Sequence, residues 1–264
     1  MRFLLPPSET KATGPYSGAV EYSRALNLGG LGFPELKDAR QAVLANLVAL
    51  SGDRAQAQAV LGLSQKQLDD IPRNAAIGSA KTMLAIDRYT GTLFDAIHGR
   101  GLKGSADEFA HLDEAALERA RDTVLIQSAL FGLIRPTDLI PYYRLSATTR
   151  LPNLPLRQHW QDAQRAEVES LHGPLIDMRS KAYAELAPLD ERQDAYWLEV
   201  VLRDSTGKRS TMNHYSKKSK GQLLHAALNA ARPPRTVSDL SLIAQSVGFE
   251  IEVKDRTLTL VVAL

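Results

Sequence analysis

The run Tyr215-Ser216-Lys217-Lys218-Ser219-Lys220-Gly221 places three ammonium groups and two serine hydroxyls within seven residues. Cations and hydroxyls at that density, with no carboxylate nearby, suit anion binding, and phosphate is the anion they fit best. The run lies inside Ser205 to Ser238, a stretch with seven Lys or Arg and no Asp or Glu. The whole chain carries a formal charge of only +2, so the rest is net acidic and the basic character is local. Solvated surface charge is the plain alternative to a phosphate site.

Other polar groups invite chemistry less directly. Ser8 and Lys11 have the S-x-x-K spacing of an acyl-transfer nucleophile, but no K-T-G follows. A polar loop lining a phosphate cleft and a simple turn both remain open for Ser8-Glu9-Thr10-Lys11. Asp87-Arg88-Tyr89-Thr90-Gly91 is either functional or a buried ion pair closing a turn. Arg135, Arg144 and Arg150, with Tyr142, Tyr143 and the single carboxylate of Asp138, could grip phosphates and stack on bases. The structural alternative pairs Arg135 with Asp138 and packs the tyrosines in the core.

Several chemistries are set aside. With no cysteine there is no disulfide, thiolate zinc site or thiol catalysis. The six histidines show no H-E-x-x-H or close pairing, so no metal site and no cofactor are expected; His214, within the basic stretch, is the one to watch. No G-x-S-x-G or Walker loop occurs. No apolar run reaches membrane-spanning length, and the opening residues are too short for a signal peptide, so a cytoplasmic protein with no membrane partner is expected.

These residues need elements to hold them. Arg2 to Leu5 reads as a buried strand stopped by Pro6-Pro7, with the Ser8–Lys11 loop at its carboxyl end. Glu35–Leu50, Asp53–Leu61, Thr92–Ile97 and Arg157–Leu171 read as helices, the last with Trp160 inward. Asp113–Phe131 reads as one long helix ending at Gly132. A short hairpin and a second helix start after it would make a helix–hairpin–helix-like element. Leu175–Met178 is a strand, and Tyr196–Arg203 with Lys208–Tyr215 a hairpin. Ser216 is then a helix N-cap that crowds Lys217, Lys218 and Lys220 into the first turn, with Pro233-Pro234 as the stop. A helix ended by Gly248 and a hairpin, Phe249–Val253 with Thr257–Val262, close the chain. The fold class is mixed α/β (α+β): a single compact domain over residues 1–264, with a basic cleft. Leu151–Pro155 is the best internal boundary.

Four blocks, in order along nearly the whole chain, resemble the YaaA family of bacterial peroxide-stress proteins. They are Pro6-Pro7-Ser8-Glu9-Thr10-Lys11, Tyr89-Thr90-Gly91, the long block from Leu130 through Gly132-Leu133-Ile134-Arg135-Pro136-Thr137-Asp138 to Tyr142-Tyr143-Arg144-Leu145, and Tyr215 to Gly221. The third is the specific one. The resemblance implies one mixed α/β domain with a positive cleft and a helix–hairpin–helix-like element. It also implies binding of duplex and non-duplex DNA, and a role in limiting oxidative DNA damage through lower free iron. Carried over by motif, it singles out Gly132, Arg135, Pro136, Asp138, Tyr142, Arg144, Lys217, Lys218 and Gly221. In the first block, Glu9 stands where family relatives have a lysine, leaving Lys11 to supply the charge.

Two functions are therefore weighed. In the first, a monomeric, sequence-tolerant DNA-binding protein contacts phosphates through Lys217, Lys218, Lys220, Arg135, Arg144 and Lys11, near Gly132 and Gly221, while Tyr142 or Tyr143 stacks on a base. In the second, Ser8, Glu9, Tyr89 and Asp138 gather in the cleft of an enzyme acting on a nucleotide or damaged base. Ser8, Asp138 and Lys217 converging in a closed pocket would favour the second.

Overall fold

The computed structural model describes residues 1–15, 19–22, 24–101 and 110–263, without the side chains of Asn213 and His214. At its centre is β1 (Arg2–Leu5), whose Phe3, Leu4 and Leu5 are all buried. Apolar residues on both faces are what a strand covered from both sides requires. Parallel neighbours flank it: β4 (Val124–Ser128), with Leu4 opposite Leu125, and β7 (Leu175–Asp177), with Phe3 opposite Ile176. Beyond β7 the sheet continues in parallel through β8 (Ala195–Arg203) and β11 (Thr257–Ala263), then ends on antiparallel β10 (Phe249–Lys254). Beyond β4 lies antiparallel β5 (Gly132–Ile134), and two-residue β9 (Arg209–Ser210) pairs with β8. A separate small sheet joins β2 (Glu21–Tyr22), β3 (Thr82–Leu84) and β6 (Leu139–Pro141).

The chain leaves β1 toward β4, then crosses back to β7 on the opposite side. The β1/β7 pair is thus the topological switch point, and the crevice outside the carboxyl ends of such strands is where open α/β sheets bind ligands. Pro6–Ser8 and Met178–Ser180 form its two lips.

Helices cover the sheet. α1 (Lys37–Leu50) buries Val43, Leu44, Leu47 and Leu50, and α7 (Leu156–Ser170) buries Trp160, Gln164 and Val168. Short helices α2 (Arg54–Leu61), α3 (Asp70–Ala75), α4 (Ala85–Arg88) and α5 (Thr92–Ile97) fill the chain between. α6 (Glu114–Thr123) precedes β4, α8 (Lys181–Ala184) follows β7, and α10 (Val237–Ser246) follows α9 (Asn213–Asn229). α9 lies against α5 so closely that a Cβ at Gly221 would stand 2.4 Å from the Leu93 carbonyl oxygen. The result is the mixed α/β domain the sequence predicts. No helix among the described residues is long and apolar enough to cross a membrane.

Two expectations fail locally. Asp113 caps α6 through Ala116 N at 2.7 Å, but the helix stops at Thr123 and Val124–Ser128 is a strand buried at every residue. The helix–hairpin–helix-like element expected around Gly132 is instead a β-hairpin, with Gln127 opposite Leu133. A continuous apolar run satisfies helix and buried strand alike until its sheet partners are known. Gly132 makes the reversal at φ +64, and a Cβ there would meet Trp160 Cζ3 at 2.7 Å. The second failure is the start of α9, whose N-cap is Met212; Ser216 N already donates to Met212 O at 2.9 Å. The lysines therefore lie past the first turn, and the strand expected from Lys208 shrinks to β9.

Candidate functional site

Lys11 sits at the β1 lip and is only 8% exposed. Its Nζ donates to Ser8 O at 2.8 Å and stands 4.3 Å from the ring centre of Tyr143 and 5.4 Å from that of Tyr89. The loop is tied down by a bridge from Lys11 to Tyr89 and by Thr10, whose hydroxyl donates to Thr90 O at 3.1 Å and lies 3.1 Å from Ser8 Oγ. Gly91, at φ +96, permits the approach: a Cβ there would lie 3.2 Å from Thr10 Oγ1. Burial pushes the Lys11 ammonium down to about 7; Glu9 opposes this and Arg144 adds to it.

Behind Lys11 runs a chain of hydroxyls. Ser128, at the carboxyl end of β4, accepts backbone N–H groups from Leu130 at 3.1 Å and Phe131 at 3.0 Å. Its own proton is then free for Tyr143, whose oxygen is 2.9 Å away, and Tyr143 in turn lies 2.7 Å from the Tyr89 hydroxyl. Ser128, Tyr143 and Tyr89 thus form one buried cluster of hydroxyls. Burial raises both tyrosines, so they stay neutral donors.

Lys220 occupies the other lip. Its Nζ donates to Met178 O at 3.1 Å, just past β7, and lies 5.7 Å from the ring centre of Trp197 on β8. Burial lowers it to about 8 against the pull of Asp177 and Glu199. Three residues earlier on the same helix, Lys217 is exposed. Such i, i+3 neighbours share a face, so the face of α9 that anchors Lys220 carries Lys217 into solvent. Two lysines thus bind carbonyls in the segments that leave the two switch-point strands: Ser8 O, three residues past β1, and Met178 O, directly after β7.

The family model described as "Peroxide stress protein YaaA" matches residues 1–254. A UPF0246 protein of Corynebacterium glutamicum strain R is 37% identical over 270 residues, covering 99% of this chain and all of the relative. The UPF0246 protein of Streptomyces coelicolor is 35% identical over 266 residues, 96% of this chain and 92% of the relative. The chain belongs to the YaaA peroxide stress protein family.

Of the residues singled out in this YaaA-family chain, Ser8, Glu9, Lys11, Tyr89 and Arg144 come together at the β1 lip. Arg144 Nη2 lies 3.0 Å from Glu9 Oε2, and its Nη1 donates to Glu9 O at 3.1 Å. Lys220 holds the β7 lip, with Lys217 and the half-buried Lys218 on the preceding turn. The others do structural work in their own surroundings. Asp138 spends both oxygens on backbone: Gly32 N at 2.9 and 3.0 Å, and Arg135 N at 2.9 Å. Arg135 donates to Arg121 O at 2.9 Å and lies over the Phe33 ring. Tyr142 donates to Asp70 Oδ1 at 2.7 Å beneath Arg73. Gly132 and Gly221 are close-approach glycines, against Trp160 and α5 respectively. His214 lies outside the described side chains.

Sequence reasoning did not name Ser128, whose role depends on a hairpin that was read as helix. Asp87 stands out in the sequence as functional or ion-paired, but nothing there joins it to His98 and His111, whose donor atoms fall within 4.8 Å of it and of each other.

Proposed function

We propose that this protein binds DNA with little regard to sequence, holding phosphates along the carboxyl edge of its sheet, as its part in a peroxide-stress response. The observation that carries this reading is the face of α9: Lys220 is anchored on Met178 O at the switch point and Lys217 extends from it into solvent. A phosphate at that edge meets ammonium groups whose charge burial has made costly, and its own charge offsets that cost. The test is fluorescence anisotropy with single-stranded, duplex and branched DNA across a salt series. Wild type should lose affinity steeply with salt. Lys217→Glu/Lys218→Glu should bind more weakly and flatten the log–log slope by about 1.4–1.8, two phosphate contacts' worth. An unchanged slope, or no binding at low salt, sinks the reading.

One observation favours a second reading, an enzyme acting on a damaged nucleotide. Lys11 is poised near neutrality against a hydroxyl chain, as an amine nucleophile must be. It would add to a sugar aldehyde, losing water to form an imine. Borohydride with abasic-site DNA would then trap an adduct in wild type and none in Lys11→Met. No adduct in wild type discards this reading and leaves DNA binding intact. Asp138, with both oxygens bound to backbone N–H groups, has no place in such chemistry.

A further inference from the structure

Asp87, next to last in α4, has a carboxylate that is almost wholly buried, His98 follows α5 and is buried too, and half-buried His111 precedes α6. His98 Nε2 lies 3.4 Å and His111 Nδ1 3.5 Å from the same oxygen, Asp87 Oδ1. Those separations are long for a charge-assisted hydrogen bond, which runs at about 2.7–2.9 Å. They match the roughly 3.3 Å between neighbouring ligand atoms around a tetrahedral ion with bonds of about 2.0–2.1 Å. We propose that Asp87, His98 and His111 form a binding site for a first-row divalent metal ion, with a fourth position open to the adjoining cavity.

Two further features support the assignment. The cavity, about 210 Å³, is walled by Tyr22, Leu84, Ile86 and Leu117 and has the three donor residues in its lining, which leaves room for water or a small ligand on the ion. His98 Nε2 faces Ile86 O at 3.2 Å, while Nδ1 is buried with no hydrogen-bond partner. An ion on Nε2 moves the proton that Nε2 gives Ile86 O onto Nδ1, so this ring must change tautomer to bind. Two imidazoles and one carboxylate are also the donor set that zinc and ferrous sites use when a position is kept open. A second tautomer change accompanies binding at His111. Arg100 Nη2 donates to His111 Nε2 at 3.0 Å, which places the ring proton on Nδ1 in the metal-free protein. An ion at Nδ1 moves that proton to Nε2, and Arg100 turns to its other acceptors, Ala110 O and Asp95 Oδ1.

The experiment titrates the full chain, stripped with chelator, with Co2+ alone. One equivalent should give the visible bands of a four- or five-coordinate ion, and Zn2+ should abolish them. In the same wild-type sample, proton NMR should show hyperfine-shifted ring N–H signals from two histidines. His111→Ala removes a half-buried ligand at the edge of the cluster and should weaken Co2+ binding by about 100-fold or more. Absence of one-equivalent bands and shifted histidine signals in wild type overturns the site, whatever the variant does. Co2+ binding by folded His111→Ala with wild-type affinity overturns it as well.

Discussion

Arg40 on α1 and Lys11 at the end of β1 are both cations taken out of water, and the protein holds them in opposite ways. The Arg40 guanidinium donates to four carbonyls: Phe131 at 2.8 Å, Leu133 at 2.8 Å, Gly32 at 2.6 Å and Leu28 at 3.3 Å. It pins the β4–β5 hairpin to the loop that Asp138 clasps from the other side through Gly32 N. Burial lowers it only to about 10, so it stays charged. Among the described residues the Lys11 ammonium has one hydrogen bond, to Ser8 O, and two aromatic rings. A buried cation with its donors used is structure. One with donors to spare, at the lip of a switch point, is available for a ligand.

The sharpest way to break this contrast is Arg40→Met, which keeps much of the volume and strands four carbonyls. Removing one side of such a buried charged network costs about 3–5 kcal/mol. Urea unfolding should show that loss, while the folded fraction keeps its DNA affinity. A loss under about 1 kcal/mol would mean that Arg40 is not the brace its bonds describe.

Lys11 is tested through pH. An unfolded lysine titrates near 10.4, and in the folded protein it is lowered to about 7. Between these values the unfolded chain binds the proton and the folded one does not, so stability rises with pH. The slope approaches about 1.4 kcal/mol per pH unit from pH 7 to 9, and below pH 7 the full cost of charging Lys11 remains. Lys220, lowered to about 8, adds to the slope with the same sign from pH 8 upward. Lys11→Met should flatten the Lys11 share of that rise in urea series at pH 6, 7, 8 and 9. Identical slopes would show that Lys11 stays charged throughout, which places it with Arg40.

Local signals revealed the frame and some of the site. β1, α1, α7 and the closing hairpin were legible because each has a clean period or a stop: Pro6-Pro7 after β1, Trp160 on the inner stripe of α7. β4 was not, because Val124-Leu125-Ile126 is apolar on both faces and only its pairing with β1 and β5 makes it a strand. The sequence places the start of α9 four residues late because Ser216 looks like a cap, whereas Met212 takes that position without a side-chain bond. Ser8, Lys11, Tyr89 and Lys220 stood out by type. Their pairings did not, since Tyr89 meets Tyr143 across 54 residues and Lys220 meets Met178 across 42.

Tyr142 sharpens the contrast at the smallest scale, because its neighbour Tyr143 belongs to the hydroxyl chain and it does not. Its hydroxyl is committed to Asp70 at 2.7 Å and its ring to Arg73, an arrangement that braces α3 against the strand β6 just left. Tyr142→Phe should cost about 1.5–3 kcal/mol, the net worth of one hydrogen bond to a charged group, and leave DNA affinity and its salt slope unchanged. A base stacked on Tyr142 would reverse the hierarchy: the phenylalanine ring still stacks, so Tyr142→Ala would then lose about 1–3 kcal/mol of binding while Tyr142→Phe lost none. Equal affinities for wild type and both variants place Tyr142 with Arg40 as a brace, and leave the ligand to the lips held by Lys11 and Lys220.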